Sequence, residues 1–223
     1  MKIDHLVVMA SSLEDGVAWC ERTLGICPGL GGEHPLMGTH NRLFNISTAN
    51  FPRAYCEIIA LNPKAAKAPE RIGARWFDMD DLALKKRIDH QGPQLVHWVA
   101  RVGNAKQAVT QLKAREIERG EVLQAARPTD QGLLTWQITV REDGQRLFDG
   151  CLPTLIEWGP VHPAQSLPES GVSLVGLSLS HPQSATLRQA LNALGNDTIS
   201  VENGSAGLHA TLQSPKGLVS LYS

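Results

Sequence analysis

Three times along the 223-residue chain, an apolar run leads into a stretch of helical pattern and then into further apolar runs. The first unit opens with "IDHLVVMA" and continues through "SSLEDGVAWCERTLG"; after a turn-rich passage from Pro28 to Gly38 come "NRLFNIS" and "AYCEIIAL". Ser11 and Glu14 have capping-box spacing and Gly25 stands at the natural stop, so a strand, a helix and several strands are expected in that order. The second unit runs "QLVHWVARV", then "NAKQAVTQLKAREIERG" with apolar Ala105, Ala108, Val109 and Leu112 and a stop at Gly120, then "GLLTWQITV" and "LPTLIEWG" around the turn "REDGQ". The third repeats the order in shortened form: "VSLVGLSLSHP", "SATLRQALNALG", "TISVENG", "GLHATLQS" and "GLVSLYS".

Units of common order bury their apolar faces against one another, and paired curved sheets built from them enclose a central cleft. The expected fold is therefore α+β: paired βαβββ modules at 1–63 and 93–160, with helices outside curved, mainly antiparallel sheets. A linking excursion spans 64–92, with a short helix in "ARWFDMDDLALKKRI". A third, partial module at 171–223 follows the Pro- and Ser-rich break "PVHPAQSLPESG".

The repeat also pairs polar residues. His97 in "LVHWV" follows His5 in "IDHLV" by 92 residues, and Glu157 in "LIEWG" follows Glu57 in "YCEII" by 100. Each glutamate stands among apolar strand residues, where an unpaired charge is costly, so it needs a cation, a metal or an opening. Four such residues lining one cleft would make a two-histidine, two-carboxylate site for a divalent cation such as zinc, nickel, manganese or iron. Glu57 or Glu157 would double there as a proton shuttle. The competing reading makes the histidines hydrogen-bonded core residues and the glutamates salt-bridged or water-facing.

Asn41 and Arg42 in "GTHNRL" could direct an amide and a cation at an anionic substrate, and Trp98 and Trp136 could wall its pocket, although strand tryptophans more often pack in the core. Glu33, His34, His162 and His181 sit in Gly- or Pro-rich turns and read as surface loop residues. Cys20, Cys27, Cys56 and Cys151 have no disulfide or metal spacing.

Charge excludes other classes. With 21 Lys and Arg against 22 Asp and Glu there is no basic footprint for nucleic acid, and no apolar run is long enough to span a membrane. The first residues lack signal-peptide features, so a cytoplasmic protein is expected. No phosphate loop, nucleophile elbow or dinucleotide fingerprint is present.

The passages "IDHLVV", "GGEHPLMGTHNRL", "YCEIIALNP", "RWFDMDD", "LLTWQIT", "LPTLIEWGP" and "HPAQSLP" resemble the glyoxalase-like branch of the vicinal oxygen chelate superfamily, whose members pair βαβββ modules around a metal. The resemblance implies a metal-dependent lyase or isomerase of glyoxalase-like type, acting on a small oxygenated molecule that chelates the metal. The alternatives are a metal-free module that sequesters a small ligand and an extradiol-type dioxygenase. In the third unit Leu177 stands where His5 and His97 stand in the others. Modules could pair within one chain or between two, so a homodimer is compatible with the pattern.

Overall fold

The computed structural model describes residues 1–65, 73–129, 132–196 and 198–223. The first unit contains β1 (Lys2–Met9), α1 (Leu13–Thr23), β2 (Gly29–His34), β3 (Thr39–Asn45) and β4 (Tyr55–Leu61). The N-cap of α1 is Ser12 rather than Ser11: its hydroxyl accepts the Asp15 N–H at 3.1 Å. Strand β2 occupies a stretch expected to turn. Its sequence, GLGGEH, has no apolar alternation, and it is held extended by antiparallel pairing with β3, from Gly29 opposite Leu43 to His34 opposite Thr39.

A connection follows, with a 3₁₀ turn at Trp76–Asp78 and α2 (Leu82–Gln91), capped by Asp81. Residues 66–72 of the expected excursion lie outside the described residues. The second unit contains β5 (Gln94–Arg101), α3 (Ala105–Lys113), β6 (Glu121–Thr129), β7 (Gly132–Val140) and β8 (Thr154–Trp158). Helix α3 stops well before Gly120, because the Ile117 N–H turns back to the Leu112 carbonyl while Glu116 takes a left-handed φ of 60°. Strand β6 was not expected. Its side chains are half-buried or exposed, so it lacks the apolar alternation that marks a strand. The third unit contains β9 (Ser173–Ser180), α4 (Ser184–Ala193), β10 (Ser200–Glu202), β11 (Gly207–Ser214) and β12 (Gly217–Tyr222).

The first two units form one curled eight-stranded sheet of order β2-β3-β4-β1-β5-β8-β7-β6. In each, the opening strand pairs in parallel with the closing one, β1 with β4 and β5 with β8, and β1 joins β5 antiparallel at the centre. The third unit repeats the element order but not the pairing. Its sheet runs β10-β9-β11-β12, with β9 parallel to β10 and antiparallel to β11.

The two faces of the large sheet are covered differently. On the outer face Leu6, Cys56, Ile58, Leu95 and Trp98 pack with Cys20 and Leu24 of α1, Leu112 of α3, and Leu187, Leu191 and Leu208 of the third unit. On the inner face Val7, Met9, Ile59, Val99, Ile138 and Ile156 meet Phe77, Met79, Leu84 and Ile88 of the connection, which therefore plugs part of the cleft. No helix among the described residues is long and apolar enough to cross a membrane.

Candidate functional site

Strand alternation carries Glu57 of β4 and His5 of β1 to the inner face, where both are 5% exposed. His5 Nε2 lies 3.6 Å from Glu57 Oε2. The carboxylate of Asp4 can only accept, so His5 Nδ1 donates to it at 2.8 Å and Nε2 is turned toward Glu57. Asp4 is itself fully buried. A register shift in the β1–β5 pairing between Ile3 and His5 accompanies its position. It also accepts from His162 Nε2 and Trp158 Nε1, each at 3.0 Å. Burial works to raise its pKa, but the hydrogen bonds and charges of His162 and His5 outweigh that and hold the carboxyl far below the usual range.

On the other side of Glu57, Asn41 Nδ2 donates to Oε1 at 2.6 Å. Asn41 is fixed in turn, because its Oδ1 accepts the Gly32 N–H at 2.7 Å. His34 Nε2 lies 3.3 Å from the same Asn41 amide and 3.9 Å from Glu57. Its Nδ1 reaches Thr39 Oγ1 at 3.0 Å. Burial pushes the His34 pKa down to about 4 against the opposing pull of Glu57, so this imidazole is neutral at pH 7. Tyr55 stacks on His5 with ring centroids 4.6 Å apart, and burial beside Asp4 and Glu57 pushes its hydroxyl well above its ordinary value.

His5, His34, Asn41, Tyr55 and Glu57 share a narrow cleft of about 40 Å³ with Trp76, Phe77, Arg127, Trp136 and Trp158. A roomier cavity of about 440 Å³ adjoins it through His34, Trp76, Arg127, Trp136 and Ile138, and is otherwise lined mainly by apolar residues including Met37, Leu123 and Pro128. Two buried donors in this region have no hydrogen-bond partner among the described residues: Trp76 Nε1 and Arg127 Nη1.

Of the four residues expected to converge, the structure brings together His5 and Glu57 and does not bring His97 or Glu157 to them. The strand registers explain both departures. Val7 lies beside Glu57 across β1 and β4, and Val99 lies beside Thr154 across β5 and β8. With His97 corresponding to His5, the counterpart of Glu57 is Thr154, not Glu157. Glu157 is an odd number of residues further along the strand, which turns it to the outer face. There its Oε2 accepts the Ala105 N–H at 2.8 Å, at the start of α3.

The Thr154 backbone N–H donates to His97 Nε2 at 3.1 Å, so Nδ1 carries the proton and donates to the Gly150 carbonyl at 3.0 Å. Thr154 Oγ1 also lies 3.1 Å from Nε2 and accepts from the buried guanidinium of Arg119. Burial, reinforced by the charges of Arg119 and Arg146, drives the His97 pKa well below its ordinary value. A divalent cation therefore has no free lone pair on His97, no carboxylate from β8, and a fixed positive charge nearby. The expected quartet does not fit a metal ion. Among the described residues, no group of three or more His, Cys, Asp or Glu side chains is arranged to hold one.

The other candidates divide by face. Trp136 lines the cleft, 5.7 Å from Trp158. Trp98 is fully buried in the outer core and donates to the Cys151 carbonyl at 3.0 Å. Arg42 alternates away from Asn41 and lines no part of the cleft. His34 and His162, read from sequence as loop residues, are instead built into the site, and Asp4, Trp76 and Arg127 join it without a sequence signal.

The glyoxalase-like domain family matches residues 3–195. No curated protein matches the chain. Among solved structures it is similar to a hypothetical protein from Staphylococcus aureus, at 17% identity and a TM-score of 0.55 over 99% of this chain and 84% of that one. It is also similar to methylmalonyl-CoA epimerase from Mycobacterium tuberculosis, at 14% identity and a TM-score of 0.39 over 72% and 88% of the two chains. A variant of the Streptomyces coelicolor methylmalonyl-CoA epimerase in complex with 2-nitronate-propionyl-CoA gives 15% identity and a TM-score of 0.44 over 73% and 97%.

Proposed function

The chain belongs to the glyoxalase-like domain family of the vicinal oxygen chelate superfamily, and from that premise we propose that it is an isomerase- or lyase-type enzyme that moves a proton on a small oxygenated molecule, with Glu57 as the base. One observation carries the reading. Glu57 is a carboxylate buried in a cleft, steadied on one oxygen by a neutral amide and facing a carboxylate-oriented imidazole with the other. A carboxylate held in this way, with an imidazole beside its second oxygen, has the geometry of a general base paired with a proton relay.

Glu57 takes a proton from a carbon next to a substrate carbonyl, leaving an enolate, and returns it to the same carbon or a neighbouring one. His5 stands where it can accept that proton from Glu57 Oε2 and hand it back, since Asp4 fixes the ring through Nδ1 and leaves Nε2 toward Glu57. Asn41 is a positioning residue that fixes the carboxylate plane. Trp136 and Trp158 wall the cleft and exclude water, which strengthens these interactions. His97 and Glu157 offer the cleft no lone pair for a metal ion, since the Thr154 N–H occupies His97 Nε2 and Glu157 accepts from Ala105 on the outer face.

The test is solvent exchange followed by NMR in deuterium oxide, with EDTA present, on a panel of 2-oxo acids, 2-hydroxy ketones and acyl thioesters. The expected result is carbon-bound deuterium incorporated by the wild type and reduced at least about 100-fold in Glu57→Gln. Equal exchange by wild type and Glu57→Gln across the panel overturns the proposal. Exchange that collapses with EDTA and returns with added metal overturns its metal-free form.

A further inference from the structure

We propose that the molecule bound in this cleft is an apolar acyl or aryl carboxylate, its anionic head held by Arg127 Nη1 and Trp76 Nε1 and its body lying in the adjoining cavity; this rests on the cleft being the site of the function proposed above. Arg127 comes from β6, near one free edge of the eight-stranded sheet, and its guanidinium lies over Gly32 of β2 at the other edge. A Cβ at Gly32 would overlap Arg127 Nη1, so the glycine leaves the space in which the guanidinium sits. Nη1 is buried and, among the described residues, has neither a hydrogen-bond partner nor a carboxylate within ion-pair reach.

A buried guanidinium N–H left unpaired is costly, and so is a buried indole N–H. Trp76 Nε1 is in that condition too, on a second wall of the same cleft. One donor comes from the connection and the other from β6, and neither has a hydrogen-bond partner among the described residues. An anionic oxygen would satisfy both, and a carboxylate matches a guanidinium in geometry as well as charge.

The adjoining cavity sets the rest of the molecule. Its volume of about 440 Å³ suits a small organic body, and Pro35, Leu36, Met37, Leu123, Pro128 and Trp136 offer it apolar contact. The acidic residue among its lining is Glu33, which is exposed and lies next to Gly32 in the chain. The head group therefore meets a cation and the body meets hydrocarbon, a pairing that selects an amphipathic monoanion over a sugar, a nucleotide or a polyamine.

The experiment is a fluorescence titration of the full chain with octanoate, octanamide and butyrate, using tryptophan emission as the readout. The expected result is saturable octanoate binding at least tenfold tighter than that of octanamide or of butyrate. Arg127→Met should erase the preference for octanoate over octanamide. Gly32→Ala, which leaves the charge in place but displaces the guanidinium, and Trp76→Phe, which removes only the indole donor, should each weaken octanoate binding several-fold. They carry the test if Arg127→Met fails to fold by circular dichroism. Equal binding of octanoate and octanamide by the wild type overturns the proposal, as does a preference that survives in folded Arg127→Met. Glu57→Gln should bind octanoate at least as well as the wild type, because it removes a nearby like charge. Octanoate binding through Arg127 without proton exchange would sink the catalytic reading alone, and Glu57-dependent exchange on neutral substrates without octanoate binding would sink this one alone.

Discussion

Replacing Glu157 with alanine separates its structural role from the metal-ligand role that its sequence context suggests. Its Oε2 accepts the Ala105 N–H at 2.8 Å, one of the backbone donors that the first turn of α3 cannot satisfy internally. The Asn104 side chain covers the Gln107 N–H, and that first turn carries no acidic residue of its own. Glu157 thus supplies both a hydrogen bond and the negative charge that the helix N-terminus favours. A hydrogen bond to a charged group is worth about 1.5–3 kcal/mol and a helix-terminal charge about 0.3–1 kcal/mol, and the half-exposed position brings the total toward the lower end. The expected loss for Glu157→Ala is about 1–2 kcal/mol, which for a chain of this size is a fall in Tm of about 2–8 °C. Glu157→Gln keeps an acceptor oxygen and should lose only about 0.5 kcal/mol. Both are measured by urea unfolding followed by circular dichroism, beside octanoate binding and proton exchange. Unchanged stability in Glu157→Ala together with lost exchange would refute the reasoning and return Glu157 to the cleft.

Other perturbations follow from the same geometry. Asp4→Asn puts an amide NH₂ among donors from His5, His162 and Trp158; it should cost about 3–5 kcal/mol in urea unfolding and slow exchange by freeing the His5 ring. His34 is held neutral with its pKa pushed down to about 4, whereas the unfolded chain protonates it near 6.5. Its contribution is therefore fully present above about pH 6.5 and is lost as pH falls toward 4, by up to about 1.4 kcal/mol per pH unit, and His34→Gln should flatten that part of the stability curve. Gly16→Ala drives a methyl group into Ile58 Cγ2 between α1 and β4; it should destabilise by about 1–3 kcal/mol in chemical denaturation, with most of the loss absent when Ile58 is already alanine.

The parts of this fold that could be read from the sequence are those whose apolar pattern is local. The opening and closing strands of both large units, helices α1 and α3 and the element order of the third unit announce themselves through composition, periodicity and stop signals, and a short helix was legible in the connection. Strands β2 and β6 did not. One is glycine-rich and the other is largely exposed, and each is extended because a neighbour pairs with it. Those two strands carry His34, Gly32 and Arg127, so the unread part of the fold holds much of the unread part of the site. The placing of Glu157 failed for a different reason. Matching "YCEII" to "LIEWG" by letters aligns two glutamates, whereas the strand registers align Glu57 with Thr154. In a sheet, a shift by an odd number of residues exchanges the cleft for the helix face, and no composition signal distinguishes the two.

The two halves of the sheet have taken opposite chemical characters from a common plan. In the first, the His5 imidazole faces the Glu57 carboxylate at 3.6 Å and is backed by that of Asp4. In the second, the corresponding imidazole faces a threonine hydroxyl backed by the Arg119 guanidinium, which favours the neutral ring. That second imidazole is committed to structure, since Nδ1 ties it to Gly150 and Nε2 to the start of β8. Gly150 ends a turn in which Phe148 and Asp149 both adopt left-handed φ, and the His97 bond helps to hold that turn in place. A shared metal needs like donors from both halves, whereas proton transfer needs only one reactive half and a rigid partner. The asymmetry of His5–Glu57 against His97–Thr154–Arg119 accords with the proposal of acid–base chemistry confined to the first module, the second contributing Arg127, Trp136 and Trp158 to the wall of the cleft.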